Sequence, residues 1–202
     1  MPEYDLLAYK IQAREYLAQF YKTETRQDSI PPLKQYWTLC SRQTRRSHSE
    51  INQMVSLGLI RKDQFYGVDH SVTNIKKNKI SHPEAHWFYG DWDKVLKRHL
   101  DIFDPAIVYL DSTSMPKTNH LIQMVLNIML YSRVDTMVFV NVMLNNPRDP
   151  KIVFTESDFI NELNSKTYVQ FINKWKFYGK AIIYCATGQT TMATYPFRRI
   201  QL

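Results

Sequence analysis

Apolar residues fall in short runs along the chain, and three of the runs end the same way. Phe65-Tyr66-Gly67-Val68-Asp69, His86-Trp87-Phe88-Tyr89-Gly90-Asp91 and Ala106-Ile107-Val108-Tyr109-Leu110-Asp111 each close on an aspartate. They are rich in β-branched and aromatic residues, which suit a pleated, buried surface. None alternates polar with apolar, the pattern of strands covered by helices on both faces of a parallel sheet. The aspartates recur about every twenty residues, roughly a strand, a crossover helix and two loops. In a parallel sheet the three carboxylates would emerge at one edge, where open α/β sheets bind ligands.

The rest of the pattern supplies elements around these strands. Residues 4–22 read as an amphipathic helix, with Leu6, Leu7, Ile11, Tyr16, Leu17 and Phe20 on one side and Lys10, Arg14 and Glu15 on the other. A polar stretch from Thr23 to Pro32 reads as a linker. Gln35 to Cys40 is the candidate first strand, followed by a polar basic loop and a helix over 49–57 that Gly58 closes. Between Asp69 and Pro83 the pattern supports only a short helix. Asp93 to Leu100 and Thr118 to Ser132 read as helices, the second apolar around much of its surface and therefore buried. Thr136 to Leu144 reads as a long central strand that Asn145-Asn146-Pro147 ends. Helices are then expected over 157–163 and 168–175. A terminal hairpin is expected from Ala181–Ala186 and Thr191–Arg198 across a Gly-containing turn. The expected division is a helix and linker over 1–32 and one α/β domain over 33–202.

Composition narrows the setting. With 44% hydrophobic residues the 202-residue chain can bury a core. Its mean hydropathy of -0.40 suits a soluble protein. No apolar run approaches the ~20 residues that span a bilayer, and the N-terminus lacks the pattern of a signal peptide. Two cysteines allow neither a disulfide framework nor a cysteine-rich zinc site, and the six histidines show no metal-ligand spacing. No metal and a cytoplasmic, intracellular location are the expectations. A net charge of +7 favours phosphate-bearing partners.

Strand-helix units followed by an antiparallel hairpin resemble the class I S-adenosylmethionine-dependent methyltransferases, over roughly Gln35 to Arg199. The resemblance implies a Rossmann-like, mainly parallel α/β sheet with an antiparallel C-terminal hairpin, and S-adenosylmethionine as cofactor. It implies that Asp69 accepts hydrogen bonds from the ribose hydroxyls, with His70 beside it. Asp91 takes the adenine amine, with Trp92 against the ring. Cys40 and Ser41 open the loop at the cofactor, and Asp111 falls near the methionine moiety and the methyl acceptor as the candidate catalytic residue. A carboxylate suits two vicinal hydroxyls because it is all acceptor. The family's glycine-rich loop is replaced here by Cys40-Ser41-Arg42-Gln43-Thr44-Arg45-Arg46, without glycine. Its arginines suit a phosphate better than a sulfonium.

Each signal also has a plainer reading. Aspartates at strand ends make turns and cap helices. The basic residues Arg42, Arg45, Arg46, Lys76, Lys77 and Lys79 serve equally as a solvated face or as contacts to DNA or RNA. A helix-turn-helix over 41–60 is a lesser alternative, set aside because a strand precedes it. Three functions stay open: a methyltransferase acting on nucleic acid, a non-catalytic nucleic-acid- or protein-binding module on the same fold, and an enzyme using another phosphorylated ligand. Asp111-Ser112-Thr113-Ser114 identifies no acceptor class.

Overall fold

The computed structural model describes residues 8–25, 35–40, 43–44, 46–47, 49–112, 115–146, 149–166, 174–178, 182–185 and 191–200. The chain divides into two compact units, Met1–Ile107 and Val108–Leu202.

The first unit contains α1 (Ala8–Glu24), β1 (Tyr36–Leu39), α2 (Glu50–Ser56), β2 (Phe65–Asp69), α3 (Val72–Ser81), β3 (His86–Tyr89) and α4 (Trp92–Arg98). β2 lies between β1 and β3 and is parallel to both, with Tyr36 opposite Phe65 and Asp69 opposite Tyr89. Strand alternation divides the aromatic side chains between two faces. On one, Trp37 stacks on Tyr66 and Phe88 and meets Trp92 of α4 edge-on. On the other, Phe65 packs between Tyr36 and Trp87. Gly67 is required on this second face. A Cβ there would sit 2.6 Å from a Trp87 ring carbon and 2.7 Å from the Cys40 sulfur.

α1 differs from the expected amphipathic helix in which side it buries. The buried stripe is Lys10, Ala13, Arg14, Leu17, Ala18 and Tyr21, so two of the three residues expected outside lie inside. The reason is a polar interface with α2. Arg14 pairs with Glu50 at 3.5 Å, Tyr36 donates its hydroxyl to Glu50 at 2.9 Å, and Gln53 donates to the Ile11 carbonyl. A buried charge is tolerated when it is paired and hydrogen-bonded. α3 is also longer than expected, ten residues, because Ser71 accepts the Asn74 N–H and starts it cleanly.

The second unit contains β4 (Ile107–Asp111, its first residue ending the first unit), α5 (Asn119–Tyr131), β5 (Met137–Met143), β6 (Asn145–Asn146), β7 (Asp149–Val153), α6 (Glu156–Lys166), β8 (Trp175–Phe177), β9 (Ile182–Cys185) and β10 (Thr191–Arg199). β5 lies between β4 and β10. The long β10 runs antiparallel to β5 along seven residue pairs. Its opposite edge takes β9 near Thr191 and β8 near Arg199, both antiparallel. The expected terminal hairpin is therefore present as β9 and β10. Two expectations change. Asn145 and Asn146 do not simply end β5 but pair with β7 in a small antiparallel ribbon. Trp175 stands in a strand rather than at the end of a helix, because it is buried against β10; residues 168–173 lie outside the described residues.

Candidate functional site

In the first unit the ends of β2 and β3 lie side by side. The Gly90 N–H donates to the Asp69 carbonyl at 3.0 Å, continuing the ladder one step past β3. Gly90 does so at φ +138, a conformation open to glycine. The chain then turns into α4, where the Asp91 carbonyl accepts the Lys94 and Val95 N–H groups.

Asp69 is only 6% exposed, and its carboxylate is already engaged. One oxygen accepts the Ser71 N–H at 2.7 Å and the other accepts from the Asn74 side chain at 2.8 Å. Each oxygen keeps a second lone pair, so the group can still accept from a ribose. His70 lies beside it and is exposed, its Nδ1 3.7 Å from the carboxylate. Asp91 faces solvent and pairs with Lys94 at 2.9 Å. Trp92 is 3% exposed, and its indole N–H has no acceptor among the described residues. Its edge-on packing against Trp37 puts the ring in the core rather than on an open surface.

The glycine-free loop is held by buried polar side chains. Gln43 is fully buried; its N–H donates to Asn78 at 2.7 Å, and its side-chain oxygen accepts the Ile51 N–H at the start of α2. His82 meets the Thr44 carbonyl at 2.7 Å, and Asn52 donates to the Arg46 carbonyl at 2.8 Å. Cys40 packs its sulfur against Gly67. Ser41, Arg42 and Arg45 lie outside the described residues. Gln43, Asn78 and His82 were not among the candidates, since nothing local marks a polar residue that meets its partner 35 positions away. Lys76, Lys77 and Lys79 all stand exposed on α3, a helix without a carboxylate.

In the second unit Asp111 ends β4, half-buried, with one oxygen accepting from the Asn141 side chain at 3.1 Å. The same Asn141 amide donates to the Tyr109 hydroxyl at 2.7 Å and accepts the Thr194 hydroxyl. Tyr109, Asn141 and Thr194 are fully buried, one each on β4, β5 and β10. Sequence reading passed over Asn141, though it is the one polar residue in the run Met137 to Leu144. No cluster of His, Cys, Asp or Glu among the described residues could hold a metal ion. Nor is any described helix long and apolar enough to cross a membrane.

No family model matches the sequence, and no curated protein does. Solved structures do match. An O-methyltransferase from Bacillus cereus in complex with SAH aligns at a TM-score of 0.60 and 9% identity, over 98% of this chain and 84% of that one. The fold is that of the class I methyltransferases. Magnesium protoporphyrin IX methyltransferase from Synechocystis PCC 6803, with bound SAM, shares the fold at a TM-score of 0.57 and 10% identity, over 94% of this chain and 79% of that one. TrmN from Thermus thermophilus aligns at 0.56 and 10% identity over 92% of this chain, which spans only 49% of TrmN. The mainly parallel α/β sheet with an antiparallel C-terminal hairpin is thus the methyltransferase-type architecture expected from the order of strands and helices.

Proposed function

We propose that this chain is an S-adenosylmethionine-dependent methyltransferase domain acting on nucleic acid. The observation that carries the proposal is the pair of carboxylates at adjacent strand ends, Asp69 and Asp91, on a methyltransferase fold. Asp69 would hold the ribose hydroxyls with the lone pairs its own turn leaves unused, and Asp91 would take the adenine amine. The buried Trp92 does not fit the stacking role. When bound, the cofactor supplies a methyl group activated on a sulfonium. Asp111, in the second unit, is the residue proposed at the acceptor. The nucleic-acid part rests on Lys76, Lys77 and Lys79, three exposed cations within four positions of α3.

A second reading has its own support. Both Asp69 oxygens are engaged, and the loop after β1 is pinned by side chains rather than opened by glycines. A binding module that no longer holds the cofactor would tolerate both features. Isothermal titration with S-adenosylmethionine and S-adenosylhomocysteine separates the two. Heat from either ligand, lost in Asp69→Ala, supports the methyltransferase; no heat from both leaves the binding module. In either case, replacing the three lysines by glutamine should flatten the salt dependence of single-stranded RNA binding by about 2 in log–log slope.

A further inference from the structure

The second unit carries a groove between α5 and α6, lined by none of the residues given a role above. Its volume is about 560 Å³, and its walls are Asn119, His120, Ile122, Gln123, Leu126 and Lys166. That size lies within the range of pockets that hold small molecules. Asn119, Ile122, Gln123 and Leu126 follow one another at helical spacing and so share one face of α5. Ile122 is buried and Leu126 half-buried, whereas the four polar residues are exposed. None of the six is a carboxylate. The side chains of Asn119 and His120 make no hydrogen bond among the described residues. Lys166 reaches Glu162 at 3.8 Å, longer than a hydrogen bond. The Gln123 amide donates to Asn127 at 3.2 Å, which leaves its oxygen able to accept.

We propose that this groove is a second ligand site, for a nucleoside phosphate. An ammonium, an imidazole and two amides on walls without a carboxylate form a donor set for an anion. Ile122 and Leu126 add an apolar strip that a bare phosphate would not use and that a sugar and base would cover. The amides both donate and accept, as the edge of a base requires. A sulfonium would meet Lys166 with like charge, so the groove is not a second copy of the cofactor site. The nucleoside phosphate is either a free nucleotide or one residue of a strand, and the same donors serve both. Because every lining residue belongs to the second unit, the inference does not rest on Asp69 or Asp91 holding a cofactor.

The test is an NMR titration of the full chain, 15N-labelled, with uridine monophosphate, uridine and inorganic phosphate as separate probes. A pyrimidine keeps the probe apart from the adenine role given to Asp91. The side-chain NH2 signals of Asn119 and Gln123 report the groove. That of Asn74, which donates to Asp69, reports the cofactor edge in the same spectra. Uridine monophosphate should shift Asn119 and Gln123, leave Asn74 unmoved, and bind about fivefold tighter than either uridine or phosphate. Lys166→Gln should weaken the monophosphate about fivefold, the worth of one ion pair at an exposed site, and leave uridine unchanged. Lys166→Arg should restore it. Leu126→Ser should weaken the monophosphate and uridine but not phosphate. A three-residue oligouridylate that moves the same signals about tenfold more tightly than the monophosphate upholds the site with a strand as its source. Equal or weaker binding of the oligomer upholds it with a free nucleotide. S-adenosylhomocysteine, added last, tests the methyltransferase reading separately, through Asn74. No binding of the monophosphate, shifts at Asn74 without Asn119, phosphate bound as tightly as the monophosphate, or an affinity unchanged in folded Lys166→Gln would overturn the inference.

Discussion

Asp69 and Asp111 each end a strand, and each has a carboxylate held by hydrogen bonds, but the partners come from different distances along the chain. Asp69 is held by Ser71 and Asn74, two and five residues on. Asp111 is held by Asn141, 30 residues away, which is itself held by Thr194, a further 53 residues on. The first arrangement belongs to a turn and the first turn of a helix, and it forms wherever α3 forms. The second exists only once β4, β5 and β10 lie side by side. A local carboxylate reports on its own loop, whereas a non-local one reports on assembly of its unit.

The contrast breaks most sharply at Asn141. Asn141→Leu keeps the branched outline in a larger side chain and removes the bonds that Asn141 makes with the Thr194 and Tyr109 hydroxyls and one Asp111 oxygen. The expected loss in urea unfolding is about 3 kcal/mol, the cost of stranding buried polar groups. Removing the partners as well, in Asn141→Val with Thr194→Val and Tyr109→Phe, should cost less than the single change, because paired polar groups replaced together are nearly neutral. A triple variant weaker than Asn141→Leu would mean that packing, not hydrogen bonding, holds these strands.

Asp69→Ala should have the smaller effect, about 1 kcal/mol, the usual worth of a side chain that satisfies a turn or a helix start. Hydrogen exchange should locate that loss in α3 and leave β5 and β10 protected. A loss spread over the whole chain would show that Asp69 is more than a local fastening.

The same distinction explains what the sequence made legible. Aspartate-ended strands, the helix closed by Gly58 and the terminal hairpin rest on local rules of burial and turn chemistry, and each can be read from its own residues. The buried face of α1 could not, because Arg14 looks solvated until Glu50 of α2 is placed against it, and Lys10 is buried on the same side. Nor could the pins of the loop after β1, where Gln43 meets Asn78 across 35 residues. Asn141 left one readable trace, an amide in an otherwise apolar run, but its partners lie on two other strands. Hence the three aspartates located the strand ends, while the groups that orient Asp111 needed the sheet.

A third aspartate extends the comparison to its local limit. Asp158, in the first turn of α6, accepts both the Thr155 N–H at 2.7 Å and the Thr155 hydroxyl at 2.8 Å, and Lys117 pairs with it at 3.2 Å. The Thr155 backbone bond, then the Thr155 hydroxyl, hold its carboxyl below the ordinary value of 3.8 against an opposing effect of desolvation, and Lys117 adds to the lowering. With the folded value depressed, its contribution to stability is fully present above pH 3.8 and falls away as pH drops through the lower folded value. Asp158→Asn should leave stability near neutral pH changed by only a few tenths of a kcal/mol, as for other solvent-accessible charges. It should also shallow the acid limb of a stability–pH curve below pH 3.8. An acid limb unchanged in Asp158→Asn would assign that limb to other carboxylates, and the start of α6 would then owe nothing to this cap.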